Sequence, residues 1–133
     1  MPELPEVETI VRTLKSLEGF SIVSIKLYRK KLRYMIPKNV SFIIKNSKII
    51  LVYRKAKYII IELDNSFSII IHLGMSGRIK FYKIENSPIL EKHDHIEIFI
   101  SNNIKIIMND PRRFGIFDII KTKKINQHKY FSS

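Results

Sequence analysis

Cysteine is absent from all 133 residues. Its absence excludes disulfides and any zinc site built on thiolates within this sequence. Acidic residues are scarce beside basic ones: 12 Asp and Glu stand against 24 Lys and Arg, giving a formal charge of +12. A membrane-spanning segment is also missing, because charged residues interrupt every window long enough to cross a bilayer. The opening MPELPEVETI places Glu3, Glu6 and Glu8 in its first eight residues. It lacks the basic start and apolar stretch of a secretory signal. No internal repeat, low-complexity tract or linker divides the chain. Together these absences predict a single soluble domain in the cytoplasm, with no bound metal or cofactor and no membrane partner.

What remains is 45% hydrophobic. That is enough for one real core and excludes a disordered chain. The basic excess makes a polyanion the first partner to consider and acidic membrane surfaces the second. Ile, Lys and Asn are heavily used, as AT-rich coding also produces, so charge alone does not establish a nucleic-acid partner.

Pro5, with Glu6 and Glu8 in the first turn, suits a helix start. Val7, Ile10, Val11, Leu14 and Leu17 recur at helical spacing and Gly19 offers a stop, so a helix is expected over 5–18. The pattern then changes to short strands with turn signals. Strands are expected at 22–27, 48–54, 57–63, 67–73, 78–83, 95–100, 104–108 and 114–120, with a loop over 84–92. Asn102-Asn103 fits a two-residue hairpin turn, since Asn tolerates positive φ. Residues 121–133 read as a basic tail without a core pattern. One helix followed by seven or eight strands argues for a mainly β domain over 1–120, an antiparallel sandwich or barrel.

Five segments gather residues capable of chemistry. They are Pro2-Glu3-Leu4-Pro5-Glu6-Val7-Glu8, Arg54-Lys55-Ala56-Lys57-Tyr58, His72-Leu73-Gly74-Met75-Ser76-Gly77, Lys92-His93-Asp94-His95 and Asp110-Pro111-Arg112-Arg113-Phe114-Gly115. In this order the segments resemble the N-terminal catalytic half of bacterial formamidopyrimidine-DNA glycosylases. One match would be weak; five in order, from residue 2 to residue 115, are specific. The resemblance covers nearly the whole chain but only about half the family's usual length.

The resemblance implies a bifunctional DNA glycosylase and abasic-site lyase that removes oxidised purines, 8-oxoguanine and formamidopyrimidines, in base-excision repair. Such chemistry needs an amine nucleophile that attacks the sugar C1′ and forms a Schiff base. An α-amino group titrates near about 8, so a useful fraction is neutral in the cell. Removal of Met1 leaves Pro2 with a secondary amine, and the resemblance makes Pro2 the nucleophile. Glu3, beside it, becomes the general acid. Glu6 also matches a position near the active site, although a carboxylate in a helix's first turn equally suits the dipole. Lys57 lies among cations, a setting that favours giving up a proton, and the resemblance makes it the proton donor for β-elimination. A phosphate-binding role fits the same lysine.

His72, Met75, His93, Arg112 and Phe114 form the DNA-handling set implied by the resemblance. A base inside a duplex must be flipped out before it can be attacked, which leaves a hole in the stack. Met75 and Phe114 would fill or prop the hole. Arg112 would bond the orphaned base. Taken singly, Met and Phe more often fill cores, but Met75 sits between two glycines in a polar loop and suits an exposed tip. His93 and His95 flank Asp94 without enough further ligands for a metal.

Longer family members carry a helix–two-turns–helix module and a zinc finger with four cysteines, and nothing in this sequence matches either. The expected partner is double-stranded DNA with damaged bases or abasic sites, bound by a monomer or by this chain complemented by a separate C-terminal chain. The rival readings are an endonuclease VIII-like enzyme for oxidised pyrimidines and an inactive, truncated DNA-binding remnant.

Overall fold

The computed structural model describes residues 4–131, apart from the side chain of Leu4. Helix α1 spans Leu4–Lys15, three residues shorter at its C-terminus than its apolar periodicity suggests. Leu17 and Glu18 continue in i→i+3 turns, donating to the carbonyls of Leu14 and Lys15 at 2.9 and 3.0 Å. Gly19 then turns the chain at φ +92°. Val7, Val11, Leu14 and Leu17 face inward and are buried.

Eight strands follow, in two antiparallel sheets. They are β1 (Ile22–Leu27), β2 (Ile49–Lys55), β3 (Tyr58–Leu63), β4 (Phe67–His72), β5 (Arg78–Lys83), β6 (Asp94–Ile100), β7 (Ile104–Asn109) and β8 (Ile116–Lys121). One sheet has the order β1-β6-β7-β5 and the other β2-β3-β4-β8. Their inner faces, with Ile25, Ile96, Ile98 and Ile106 from the first and Val52, Ile59, Ile61 and Ile69 from the second, form one core with α1. The mainly β, helix-led sandwich expected from the sequence is the fold observed. Asn103 has φ +68° in the β6–β7 hairpin, as its side chain permits.

Four features depart from the sequence reading. A short helix α2, Val40–Ile44, buries Val40 and Ile44 in a stretch that carried no assignment. The loop after β5 contains one 3-10 turn, Ile84–Asn86. The last strand begins at Ile116 rather than Phe114, because Asp110 captures the backbone N–H groups of Arg113 and Gly115 at 3.1 and 2.8 Å. Finally, the tail packs. A 3-10 segment, Thr122–Gln127, buries Ile125 against Ile60 and Ile70 on the outer face of the second sheet, with Tyr58, Ile120, Tyr130 and Phe131 alongside. The consecutive isoleucines at 59–61 and 69–71 therefore have apolar cover on both sides, as a continuous apolar strand requires.

The outer face of the first sheet carries a buried ion pair, Lys105–Glu97, at 2.8 Å. The Tyr28 hydroxyl also donates to Glu97 at 2.5 Å. Burial and the Glu97 carboxylate push the Tyr28 phenol up to about 12. No described helix is long and apolar enough to cross a membrane.

Candidate nucleic-acid interface

A cleft of about 740 Å³ opens at one end of the sandwich. Its walls come from three segments: Lys31, Leu32 and Arg33 before α2; His72 at the end of β4 with Gly74 and Met75 just after it; and Arg112, Arg113 and Phe114 before β8. Four of the residues singled out in the sequence, His72, Met75, Arg112 and Phe114, thus converge from two segments, Met75 and Arg112 being 37 residues apart. Lys31, Leu32 and Arg33 were not anticipated. The basic run Arg29-Lys30-Lys31-Leu32-Arg33 was their only signal.

Two loops meet closely because glycine lets them. Gly74 has φ +63°, and a Cβ there would lie 2.7 Å from the Phe114 carbonyl carbon. Only a residue without a side chain fits both the backbone angle and the gap. Met75 is then 53% exposed and Phe114 44% exposed, too open for core residues. The Arg112 guanidinium lies 4.9 Å from the Phe114 ring centroid, within cation–π range. Its Nη1 stands 3.9 Å from the Met75 sulfur. Met75, Arg112 and Phe114 therefore form one apolar and cationic tip.

His72 closes β4. Its Nδ1 accepts the Gly74 N–H at 3.0 Å, so the neutral imidazole keeps its proton on Nε2. Burial, with the Arg33 and Lys57 charges nearby, holds its pKa below the ordinary histidine value. The ring also packs on Tyr58, its cross-strand partner, at 4.8 Å between centroids.

Lys57 sits at the tip of the β2–β3 hairpin, beside Ala56 at φ +55°. Arg54 braces this tip, donating from Nη1 to the Ala56 carbonyl at 2.8 Å and from Nε to Glu8 of α1 at 2.7 Å. The hairpin is thereby tied to the helix that follows the N-terminus. Pro2 and Glu3 lie outside the described residues.

Glu6 and His93 do not line the cleft. Glu6 is exposed on α1, beside a shallow depression of about 340 Å³ shared with Leu73, Gly77 and Arg78. His93 is half-buried on the turn before β6, and its carbonyl accepts the Asp110 N–H at 3.1 Å. Asp94 pins the same turn. Although burial pushes its carboxyl up, Lys80 at 2.8 Å, the Glu91 N–H and Asn109 hold it below its ordinary value. His95 is buried in β6, with Nε2 2.9 Å from the Asp110 carbonyl. Among the described residues no group of three or more His, Asp or Glu could hold a metal ion. The zinc finger of longer family members needs cysteines, and these 133 residues contain none, so that zinc has no ligands here.

Fold and cleft define a class: a helix-led, two-sheet antiparallel domain with a basic cleft and a protruding tip built from two loops. Residues 1–117 match the family model for the formamidopyrimidine-DNA glycosylase N-terminal domain, and the chain belongs to that family. A formamidopyrimidine-DNA glycosylase of Ruegeria is 38% identical over 136 residues, covering 97% of this chain and 48% of its own length. The Rickettsia bellii counterpart is 44% identical over 128 residues, covering 96% and 46%. The chain spans about half the length of the curated relatives it matches. Among solved structures, wild-type Lactococcus lactis Fpg (MutM) with DNA containing N7-benzyl-Fapy-dG superposes at a TM-score of 0.85, with 32% identity, over 98% of this chain and 47% of that one. A MutM complex with DNA containing carbocyclic 8-oxo-G gives 0.84, 32%, 98% and 47%.

Proposed function

We propose that this chain forms the catalytic half of a base-excision repair enzyme, a DNA glycosylase and abasic-site lyase acting on oxidised purines in double-stranded DNA. The convergence of Met75, Arg112 and Phe114 on one exposed tip beside a basic cleft carries the reading. Family membership supports it, as do relatives whose structures hold Fapy-dG or 8-oxo-G DNA. The tip enters the stack when a base is flipped out, and Arg112 bonds the base left behind. With Met1 removed, the Pro2 nitrogen attacks C1′. The glycosidic bond breaks, its electron pair leaves with the base, and the amine is joined to C1′ as an aminal. Glu3 delivers a proton to O4′, the C1′–O4′ bond breaks, and the resulting iminium joins protein to sugar. Loss of a C2′ proton then expels the 3′ phosphate, with Lys57 moving the proton. His72 and His93 contact DNA, and Glu6 lies near the reacting sugar.

The domain acts as a monomer in the bacterial cytoplasm. A helix–two-turns–helix and zinc-finger segment, continuing this chain or on a separate one, completes the grip on DNA. Borohydride trapping on a duplex with one abasic site, at low salt where phosphate contacts are strongest, tests the chemistry. The expected result is a covalent adduct that proteolysis and mass spectrometry map to the Pro2 nitrogen. An adduct mapped to another residue, or retention of Met1 in the mature protein, refutes it. Release of thymine glycol with 8-oxoguanine spared would instead indicate an endonuclease VIII-like specificity.

A further inference from the structure

Asp110 is fully buried, and among the described residues no cation forms an ion pair with it. Burying a lone carboxylate is costly unless hydrogen bonds replace its water. Here three do. Oδ1 accepts from the Ser76 hydroxyl at 2.8 Å and the Arg113 N–H at 3.1 Å, and Oδ2 accepts from the Gly115 N–H at 2.8 Å. Ser76 Oγ in turn accepts the Arg112 N–H at 3.1 Å. Every one of these donors belongs to the two loops that make the tip. Asp94, the other buried aspartate, differs: Lys80 neutralises it, and it ties the turn before β6 to Asn109 of β7 rather than the two tip loops to each other.

We infer that Asp110 and Ser76 are positioning residues that pre-assemble the Met75–Arg112–Phe114 tip in the absence of DNA. The inference rests on the function proposed above for that tip. The chain Arg112 N–H to Ser76 Oγ to Asp110 Oδ1 bolts the 74–77 loop to the 110–115 loop. The guanidinium, the sulfur and the ring are therefore held at their observed spacings before any duplex arrives. A tip ordered in advance loses less freedom on insertion, so the clamp matters where the tip must enter the stack of a duplex and not on a single strand.

Two readouts test this. In the free protein, amide hydrogen exchange at Arg112, Arg113 and Gly115 is expected to be protected. Ser76→Ala should speed Arg112 at least about 10-fold. Asp110→Asn, which turns an amide donor toward one of these N–H groups, should speed Gly115 or Arg113 similarly. The second readout compares borohydride trapping on an abasic duplex with trapping on a single-stranded abasic oligonucleotide. Ser76→Ala should lower the duplex-to-single-strand ratio about 10-fold, and Ser76→Thr, which keeps the hydroxyl, should restore it. Unchanged Arg112 exchange in Ser76→Ala overturns the clamp, as does an equal loss on both substrates. A wild-type chain that traps neither substrate sinks the proposed function instead, and the exchange measurement still decides the clamp even if Asp110→Asn fails to fold.

Discussion

Replacing Ile125 with alanine asks whether the last ten described residues belong to the fold. The side chain is 4% exposed and packs on Ile60 and Ile70. Ile→Ala deletes three carbons, worth about 0.8 kcal/mol each in transfer, and the residual cavity adds to that. The expected loss is about 3 kcal/mol. An unfolding entropy of roughly 2.1 cal/mol/K per residue over 133 residues gives about 0.28 kcal/mol/K, so the melting midpoint should fall by about 10 °C. Urea titration followed by circular dichroism measures the same loss as a lower midpoint at unchanged slope. Phe42→Ala, at a site 88% exposed on α2, is the control and should stay within about 0.5 kcal/mol of wild type. If Ile125→Ala matches that control, the tail is not part of the cooperative unit and the second core is refuted.

Acidification should destabilise the fold through His72. Its folded pKa lies below the ordinary 6.5, so the unfolded chain binds the extra proton first. The stabilisation is present above 6.5 and lost as pH falls through the folded value; His72→Asn should flatten the slope of urea midpoints between pH 7.5 and 5. Lys105→Met alone strands the buried Glu97 carboxylate and should cost about 3–5 kcal/mol, whereas Lys105→Met with Glu97→Leu should recover most of that loss in the same denaturation assay. Gly74→Ala combines positive φ with a Cβ 2.7 Å from backbone. It should cost at least roughly 2 kcal/mol and reduce trapping on duplex DNA.

The sandwich was legible because its strands alternate or run apolar between turn residues, and β1 to β7 lie within a residue of expectation. α2 was not, because its five residues, four of them apolar (Val40, Phe42, Ile43 and Ile44), are too few to display a period. The cleft wall at Lys31–Arg33 was hidden by its charge, which reads as solvated surface. Phe114 suits a strand by propensity, but three polar bonds to a buried aspartate from the surrounding loops outweigh that preference. The tail misled for a related reason. Ile125, Tyr130 and Phe131 are spread among Lys123, Lys124 and Lys129, so no short window looks amphipathic. The clue lay elsewhere, in the isoleucine triplets of β3 and β4, which need cover on a face the sandwich core does not reach.

That cover has a consequence for the cleft. Tyr58 follows Lys57 directly and touches both regions. Its ring packs on His72 at 4.8 Å and on Tyr130 of the tail at 5.5 Å. Tyr130 is itself anchored, donating from its hydroxyl to Asp118 of β8 at 2.6 Å. The side chain next to the lysine is thus held between a histidine on the cleft wall and a tail residue fixed to the sheet. Loosening the tail frees one side of that grip and leaves the hairpin tip carrying Lys57 with its β2–β3 and β3–β4 ladders, the His72 contact and the Arg54–Glu8 pair, the last exposed and worth at most about 1 kcal/mol. Packing behind the second sheet therefore supports the position of a residue in the proposed chemistry, although no tail residue needs to touch DNA.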